Sequence, residues 1–299
     1  MKVFLTGSTG FVGRHTLRRL LAQGHSVRAL VRDSAKTQTL SPNAACEYVI
    51  GNVISGDGLD RALVSCDAVI HLVGIIAEKG SNTFEAVHHL GTRNVVLAAQ
   101  RRGIRRFVHL SALGVRPDGV AAYQTSKWKG EEEVRRSGIP FCILRPSLIF
   151  GPGDGFVTQM MEIMRKAPLF RPIPGNGSPR FRPIFIDDVA FCLERSLTAE
   201  GARNQTIDLG GADDLSLNEV LSEIARCAGV SKPALHIPMP LMFAAAALAQ
   251  TLLPNPPVTI GQLRMLQEGS TCDIQPMMNV FQFRPHGFQG CGRETPTPA

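Results

Sequence analysis

Short apolar runs alternate along the chain with stretches in which apolar residues recur at helical spacing. The runs are typical of buried strands, and the helical spacing is typical of amphipathic helices. After the opening run, strand-like segments recur at 26–32, 46–50, 67–74, 105–110 and 205–209, and a helical pattern runs from about Thr83 to Arg102. Strands that alternate with helices form parallel sheets through right-handed crossovers. The pattern therefore predicts an α/β fold with a doubly wound parallel sheet.

A glycine-rich turn directly follows the first apolar run, Val3 to Leu5. It has the form Gly7-x-x-Gly10-x-x-Gly13, and a helical pattern begins within it. Gly7 permits a sharp turn, Gly10 lets the backbone approach a pyrophosphate, and Gly13 lets the helix pack closely on the sheet. The free amide groups and the positive end of the helix dipole attract phosphate. These residues predict a dinucleotide-binding sheet of the Rossmann type.

The end of the second predicted strand distinguishes between two dinucleotides. An acidic residue there binds the ribose 2′-hydroxyl of NAD, whereas an arginine pairs with the 2′-phosphate of NADP. Here Val31 is followed by Arg32, and Asp33 comes one position later. We therefore expect NADP(H) as the cofactor, with Arg32 as its main specific contact. NAD(H) is the alternative, with Asp33 as the ribose ligand and Arg32 as a surface residue.

The third and fourth strands end at the edge of the sheet where ligands bind in such folds, because the carboxyl ends of parallel strands meet there. We expect the residues at these ends to lie near the adenine and its ribose. They are Asn52, Val53, Leu72, Val73 and Gly74. His71 stands inside the apolar fourth strand, so we expect a buried histidine with hydrogen-bond partners rather than a catalytic one.

The candidate catalytic residues are Ser111, after the fifth strand, and Tyr123 and Lys127 in the following helix. Because they are four positions apart, Tyr123 and Lys127 share one helix face. A nearby ammonium lowers the pKa of a phenol towards the working pH, and it can also hold the nicotinamide ribose. Tyr123 would then exchange a proton with the substrate, and Ser111 would hydrogen-bond its carbonyl oxygen. Taken alone, the spacing also occurs on ordinary surface helices.

The net charge of +7 is spread along the chain, partly as short arginine pairs. Solvated helix ends account for such pairs, so we expect a small-molecule substrate and no nucleic-acid partner. The seven cysteines show no CxxC pair and no metal-like spacing, which favours reduced, mostly buried thiols and no metal site. Because the chain enters a strand at once, we expect no cleavable targeting segment and a cytoplasmic location.

The composition changes after Gly151, where a Met-rich helical stretch is followed by a segment rich in Pro and Gly. We predict a dinucleotide-binding domain of residues 1–147 and 181–212, and a smaller C-terminal lobe of residues 148–180 and 213–299 for substrate or partner. The segment from Met239 to Leu253 in this lobe is apolar and uncharged. It is short for a bilayer-spanning helix of about 20 residues. We expect a core helix, or, if one face is uncovered, a peripheral contact with a membrane or a protein partner.

The glycine-rich turn, Ser111 and the Tyr123 and Lys127 pair resemble the short-chain dehydrogenase/reductase superfamily in its extended or atypical branch. Within that branch the chain is most similar to the NADPH-binding accessory subunits of complex I and their bacterial relatives. The matching segments occur in the expected order: Thr6 to Gly13, Gly91 to Asn94, Ser111, Tyr123 with Lys127, Arg145 to Gly153, and Arg182 to Val189. Two positions depart from the pattern, because Asn52 stands where many relatives have Asp and His88 where many have Asn.

The resemblance implies a role for each matching residue. Arg32 would bind the 2′-phosphate of the dinucleotide, and Asn52 would contact its adenine. Ser111, Tyr123 and Lys127 would lie at the nicotinamide and its ribose. The stretch from Arg145 to Gly153, with Pro146 and Ser147 as contact residues, would close over the ring. The pyrophosphate would be held by Thr6, Gly7, Thr9, Gly10, Phe11, Val12 and Gly13.

Two functions of different classes follow from these expectations. The first is an NADP(H)-dependent oxidoreductase or epimerase that acts on a hydrophobic or quinone-like carbonyl compound through Ser111, Tyr123 and Lys127. The second is a non-catalytic scaffold, peripheral to a membrane, that holds NADPH for assembly or for redox sensing. The Tyr and Lys pair favours the first function, and the complex I relatives favour the second.

Overall fold

Seven parallel strands form the central sheet of the computed structural model, which describes residues 1–33, 35, 45–253 and 256–289. Across the sheet the order is β3–β2–β1–β4–β5–β6–β11, and every neighbouring pair is parallel. Strand order therefore reverses beside β1, where doubly wound sheets bind their ligands. The prediction of a doubly wound parallel sheet is confirmed. The strands are β1 (Lys2–Thr6), β2 (Ser26–Val31), β3 (Cys46–Ile50), β4 (Ala68–His71), β5 (Arg106–Leu110), β6 (Phe141–Pro146) and β11 (Gln205–Leu209).

Six helices of the described chain accompany the sheet. They are α1 (Phe11–Ala22), α2 (Leu59–Ala62), α3 (Gly91–Arg101), α4 (Ala122–Arg135), α6 (Ile186–Arg195) and α10 (Gln275–Phe281). The predicted helix near 83–102 is present, but its first part, Glu85–Leu90, is a π-helix that leads directly into α3. Such wider turns occur often beside functional sites.

Apolar residues of the sheet and of its helices share one buried core. They include Phe4, Val69, Phe107, Ile143, Leu59, Leu63, Val95, Val96, Ala99 and Val134. Cys66, Cys142 and Cys192 are buried free thiols, as expected. Cys227 differs from the prediction of reduced thiols, because it is disulfide-bonded.

The remaining strands and helices are short and form a second unit. Its strands pair two by two: β7 with β10 and β8 with β13 are parallel, and β9 with β12 is antiparallel. The elements are β7 (Ile149–Phe150), α5 (Phe156–Lys166), β8 (Arg171–Pro174), β9 (Arg180–Phe181), β10 (Ile184–Phe185), β12 (Leu215–Ser216), α7 (Leu217–Cys227), β13 (Ala234–Ile237), α8 (Met239–Leu252) and α9 (Ile260–Glu268). In the described part of the chain, no helix combines the length and apolar character that crossing a bilayer requires.

The chain divides differently from the predicted domain boundaries. The first unit is Met1–Pro146, Asp187–Leu209 and Gln275–Phe283, and the second is Ser147–Ile186, Gly210–Ile274 and the chain from Arg284. Residues 181–186 and 210–212 thus belong with the smaller unit, because β9 and β10 pair with strands of that unit. Residues 275–283 return to the first unit, because α10 packs on β11. Neither change follows from local sequence patterns.

Candidate nucleotide-binding and catalytic site

The glycine-rich turn between β1 and α1 has a geometry that fits a phosphate group. Gly7 has a φ of +78°, and a Cβ on Gly13 would lie 2.0 Å from the Gly7 carbonyl oxygen. α1 begins after Gly10 with no side-chain cap and no acidic residue in its first turn, so its first amide groups can bind an anion. The Ser8 hydroxyl is buried, and no described residue bonds to it. These features suit the pyrophosphate of a dinucleotide.

The other predicted residues of this turn are occupied by local contacts. Thr6 is fully buried, and its hydroxyl faces the interior of the first unit. Thr9 and Val12 use their carbonyl oxygens, which accept hydrogen bonds from Arg14 Nε at 3.1 Å and from Thr16 Oγ1 at 2.9 Å. Phe11 is half-buried. The contacts of these residues with a pyrophosphate stay predictions.

Arg32 lies at the carboxyl end of β2, where the sequence predicted the contact with a 2′-phosphate. Its side chain is exposed, and Nη1 donates a hydrogen bond to Asn82 Oδ1 at 3.2 Å. Asp33 instead accepts a hydrogen bond from the Ala35 amide at 2.9 Å. A guanidinium that uses one donor on an amide oxygen still has further donors for a phosphate. The contact of Arg32 with the 2′-phosphate stays a prediction.

Asn52 and Val53 form a tight turn after β3. Asn52 Oδ1 accepts a hydrogen bond from the Ile54 amide at 2.9 Å, and Asn94 Nδ2 donates to the carbonyl oxygens of Val53 and Ile54 at 3.0 and 2.9 Å. The Val53 side chain belongs to the apolar core. Asn52 is half-buried. The contacts of Asn52 and Val53 with an adenine stay predictions.

A buried hydrogen-bond network fixes the end of β4. Thr6 Oγ1 lies 2.7 Å from His71 Nδ1, Thr92 Oγ1 lies 3.1 Å from His71 Nε2, and the Leu72 amide donates to Thr6 Oγ1 at 3.3 Å. Burial lowers the pKa of His71 to about 3, so its imidazole is neutral. His71 is thus a buried histidine with partners, as expected. Leu72 and Val73 follow half-buried, and Gly74 is exposed.

Tyr123 and Lys127 lie on one face of α4, as their spacing predicts. Lys127 Nζ lies 5.9 Å from the centre of the Tyr123 ring, and it donates a hydrogen bond to the Leu110 carbonyl oxygen at 3.0 Å. Lys127 is only 6% exposed, and burial lowers its pKa to about 8. The ammonium is therefore held beside the phenol and at the end of β5.

Burial acts on the phenol in the direction opposite to that expected from its lysine neighbour. The sequence predicted that Lys127 would lower the pKa of Tyr123, whereas desolvation raises the pKa of this phenol above its usual value. Removing water disfavours the phenolate more than the ammonium, 5.9 Å from the ring centre, favours it. Tyr123 is consequently protonated at neutral pH.

Ser111 follows β5 directly after the carbonyl that Lys127 binds. Its side chain is 3% exposed, and its hydroxyl has no hydrogen-bond partner among the described residues. A buried hydroxyl without a protein partner is uncommon, and it suits a residue that bonds a ligand. The backbone of Ser111 is held by its amide, which donates to the Leu144 carbonyl oxygen at 2.7 Å.

His88 contacts the same helix face, although no sequence motif predicts a site residue at this position. His88 is 2% exposed, and its ring lies edge-on to Tyr123 with 5.3 Å between the ring centres. A Cβ on Gly74 would lie 3.5 Å from both His88 Nε2 and Lys127 Nζ. The departure from the Asn of many relatives was the available signal, but no sequence pattern indicates a partner for this imidazole.

Pro146 and Ser147 fall on opposite sides of a unit boundary. In the first unit, the Pro146 carbonyl oxygen accepts a hydrogen bond from the Leu113 amide at 2.9 Å. In the second unit, Ser147 Oγ donates to the Ser270 carbonyl oxygen at 2.6 Å. Their predicted contact with the nicotinamide stays a prediction. The described residues contain no group of three or more His, Cys, Asp or Glu that could hold a metal ion.

Comparisons with known proteins identify the family of the chain. Residues 7–161 match the family described as NAD(P)H-binding. A putative dihydroflavonol 4-reductase of Synechocystis sp. is 32% identical over 81% of this chain and 77% of its own length. A ceramide reductase of Caulobacter vibrioides is 30% identical over 87% of this chain and 81% of its own length.

The predicted likeness to complex I accessory subunits is also confirmed. The mitochondrial NADH dehydrogenase (ubiquinone) 1 alpha subcomplex subunit 9 of Arabidopsis thaliana is 27% identical over 73% of this chain and 55% of its own length. Among solved structures, UDP-glucuronic acid 4-epimerase of Bacillus cereus with UDP-glucuronic acid and NAD has a TM-score of 0.78 at 19% identity, covering 98% of this chain and 96% of that one. At this identity the structural likeness shows the fold alone.

The sheet, its reversal of strand order and the glycine-rich turn define a Rossmann-type dinucleotide-binding protein. The chain belongs to the NAD(P)H-binding family, among the extended short-chain dehydrogenase/reductase proteins. Its relatives include reductases and a subunit of mitochondrial NADH dehydrogenase.

Proposed function

We propose that this protein is an NADP(H)-dependent oxidoreductase that reduces a hydrophobic or quinone-like carbonyl compound. Two observations carry the proposal. Lys127 is buried beside Tyr123 and bonded to Leu110, and the hydroxyl of Ser111, the residue after Leu110, has no hydrogen-bond partner among the described residues. The names of the two reductase relatives support a hydrophobic carbonyl substrate. An epimerase is the variant of this function in which the same residues serve a sugar substrate.

The three side chains have separate roles in such a reduction. The bound nucleotide supplies the hydride that the carbonyl carbon accepts. Ser111 donates a hydrogen bond to the carbonyl oxygen, and Tyr123 donates the proton that completes the alcohol. Lys127 stabilises the phenolate that Tyr123 leaves behind. Because burial raises the pKa of Tyr123, the phenol carries its proton at neutral pH, which favours the direction of reduction.

Single-turnover oxidation of bound NADPH tests this function. Purified protein loaded with NADPH is mixed with a panel of quinones and ketones, and the loss of nicotinamide absorbance is followed. The Tyr123→Phe variant should retain NADPH but lose oxidation by about 100-fold or more, because it removes the general acid. Tight retention of NADPH by the wild-type protein without oxidation by any acceptor would eliminate simple reductase action.

We infer further that NADP(H) is the preferred nucleotide. Arg32 is exposed at the end of β2, and its guanidinium has further N–H donors besides the one that bonds Asn82. Asp33, which would serve NAD, stands one position later and accepts a hydrogen bond from the Ala35 amide through Oδ1. The exposed arginine at the end of the strand supports the 2′-phosphate as the group that the site recognises.

A second candidate function is a scaffold that holds NADPH at a membrane surface, and the exposed face of α8 favours it. Leu241, Leu248 and Leu252 are 61%, 61% and 70% exposed, and their spacing places them on one stripe of the helix. Ala246 is the buried residue of α8. An exposed apolar stripe on a chain of net charge +7 is suited to an anionic bilayer surface.

Sedimentation with vesicles separates the two candidates. Wild-type protein should sediment with vesicles that contain anionic lipid, and the Leu248→Glu/Leu252→Glu variant should remain in the supernatant. Leu169→Glu is the matched control, because Leu169 is 68% exposed but lies outside α8. Equal sedimentation of all three proteins would exclude α8 as the contact.

A further inference from the structure

His88 connects the loop after β4 with the helix that carries Tyr123. The Ile75 amide donates a hydrogen bond to His88 Nε2 at 3.0 Å, and His88 Nδ1 lies 2.9 Å from Ser126 Oγ. The imidazole also stacks on Phe84, with 5.5 Å between ring centres, and meets Tyr123 edge-on. A single buried side chain thus bonds the loop, bonds α4 and packs on the candidate acid.

The partners of His88 determine which nitrogen carries its proton. Because the Ile75 amide can only donate, His88 Nε2 must accept and is unprotonated. Ser126 Oγ donates to the Tyr123 carbonyl oxygen at 2.9 Å, so it accepts from Nδ1–H. The imidazole is therefore neutral in its Nδ1–H form. Lys127 and His71 face the same site, and the Lys127 ammonium disfavours a second positive charge.

We propose that His88 is a positioning residue that fixes the Gly74–Ile75 backbone and the Tyr123 ring in one arrangement. The inference rests on the proposed function, in which Tyr123 must meet the substrate carbonyl while the loop after β4 borders the nucleotide. An imidazole does this with two hydrogen bonds at opposite ends of a rigid ring. A shorter amide side chain reaches only one of these partners, so His88 gives this chain a connection that an asparagine does not supply.

Three substitutions of His88 each remove a different part of its contacts. His88→Asn keeps a donor near the position of Nδ1, and His88→Gln keeps an acceptor near the position of Nε2. His88→Phe keeps the ring contacts but removes both hydrogen bonds. His89→Gln is the matched control, because the adjacent imidazole bonds Glu85 and Glu133 instead.

The expected effect is on the reaction rate more than on nucleotide binding. His88→Phe should lower kcat by about 10- to 100-fold, the scale of a misplaced reacting group, while the Kd for NADPH changes by less than about threefold. His88→Gln and His88→Asn should fall between His88→Phe and the wild type, and His89→Gln should match the wild type. A kcat for His88→Phe equal to that of the wild type, or a loss equal to the loss of NADPH binding, would overturn the proposal.

A measurement without turnover keeps this inference separate from the proposed function. Nitrogen-15 NMR of the NADPH-loaded protein should show His88 in the Nδ1–H form, and the Ile75 amide should exchange slowly with solvent. His88→Phe should speed that exchange, whereas His88→Gln should largely restore the protection. An Nε2–H or charged imidazole would refute the positioning role. Absence of wild-type turnover with the expected tautomer would instead remove only the proposed reaction.

Discussion

Buried histidines show how strongly the environment determines the role of a residue in this protein. His71 and His109 pair across β4 and β5, and their rings stack with 5.4 Å between centres. His71 bonds Thr6 and Thr92, whereas neither ring nitrogen of His109 has a partner among the described residues. Residues of the same type on paired strands therefore differ in what they contribute to stability.

Replacing His109 should stabilise the protein, since its buried ring nitrogens have no hydrogen-bond partner in the part of the chain that the structure describes. His109→Phe keeps the ring and removes two unsatisfied polar atoms, so we expect the free energy of unfolding to rise by about 1 kcal/mol. Denaturant titration measures the change. His71→Phe is the contrasting variant, because it leaves the Thr6 hydroxyl without its acceptor and should lower the same free energy by about 1 to 3 kcal/mol. Destabilisation by both variants would show that His109 has a polar partner.

Arg32 is the residue that tests nucleotide preference. Arg32→Ala should weaken binding of NADPH by about 1 to 3 kcal/mol, the scale of a hydrogen bond to a charged group, and leave NADH binding nearly unchanged. Titration calorimetry with both nucleotides measures the difference. Arg18→Ala is the control, because Arg18 is exposed on α1, away from the end of β2. Equal losses for NADPH and NADH in Arg32→Ala would refute the assignment.

At the scale of elements, the position of α1 depends on the absence of a side chain at Gly13. A Cβ on Gly13 would lie 2.0 Å from the Gly7 carbonyl oxygen and 2.7 Å from Ser8 Cα, both of which are backbone atoms. Side-chain movement cannot relieve such a contact, so a larger residue has to displace the helix from the sheet. The amide groups at the start of α1 would then leave the position that suits a phosphate.

Gly13→Ala should therefore lower both stability and nucleotide binding. We expect a loss of about 2 kcal/mol or more in the free energy of unfolding, in the range for overpacked cores, together with loss of NADPH binding. Gly155→Ala is the matched control, because a Cβ there meets no atom within 4 Å and its φ is −89°. Chemical denaturation and nucleotide titration of both variants provide the measurement. Normal NADPH binding by Gly13→Ala would show that α1 does not need this close approach.

The element that leads into α3 was predicted only in part. Apolar spacing identified a helix near 83–102, but the π-helix Glu85–Leu90 was not expected. Its wider turns place His88 where it bonds the loop and α4. Apolar periodicity indicates only which face of a helix is buried. It does not distinguish a π-helix, which has more residues in each turn, from an α-helix.

For the whole molecule, the buried neutral histidines predict a dependence of stability on pH. The pKa values of His71 and His88 fall from 6.5 to about 3, and burial also lowers the pKa of His109 well below its usual value. Below pH 6.5 the unfolded chain therefore binds more protons than the folded one. The stabilisation is fully present above that pH and is lost progressively as the pH falls towards about 3.

The free energy of unfolding should consequently fall by up to about 1.4 kcal/mol per pH unit for each of these histidines. Urea denaturation between about pH 4.5 and 7.5 measures the slope. His109→Phe should reduce the slope of the free energy of unfolding against pH by the amount that one histidine contributes. Comparison with the wild type therefore separates the contribution of His109 from that of the carboxylates. A slope unchanged in His109→Phe would show that this histidine does not enter the folded state in its neutral form.

The sequence by itself determined the sheet, the glycine-rich turn, the face shared by Tyr123 and Lys127, and the apolar helix near Met239. Each of these depends on neighbours within a few residues: on periodicity, on the conformational freedom of glycine, or on helical spacing. Tertiary structure alone decided the unit boundaries, the partners of His88, the raised pKa of Tyr123 and the exposed stripe of α8. These depend on desolvation and on contacts between residues distant in sequence, which the fold creates only after the local elements have packed.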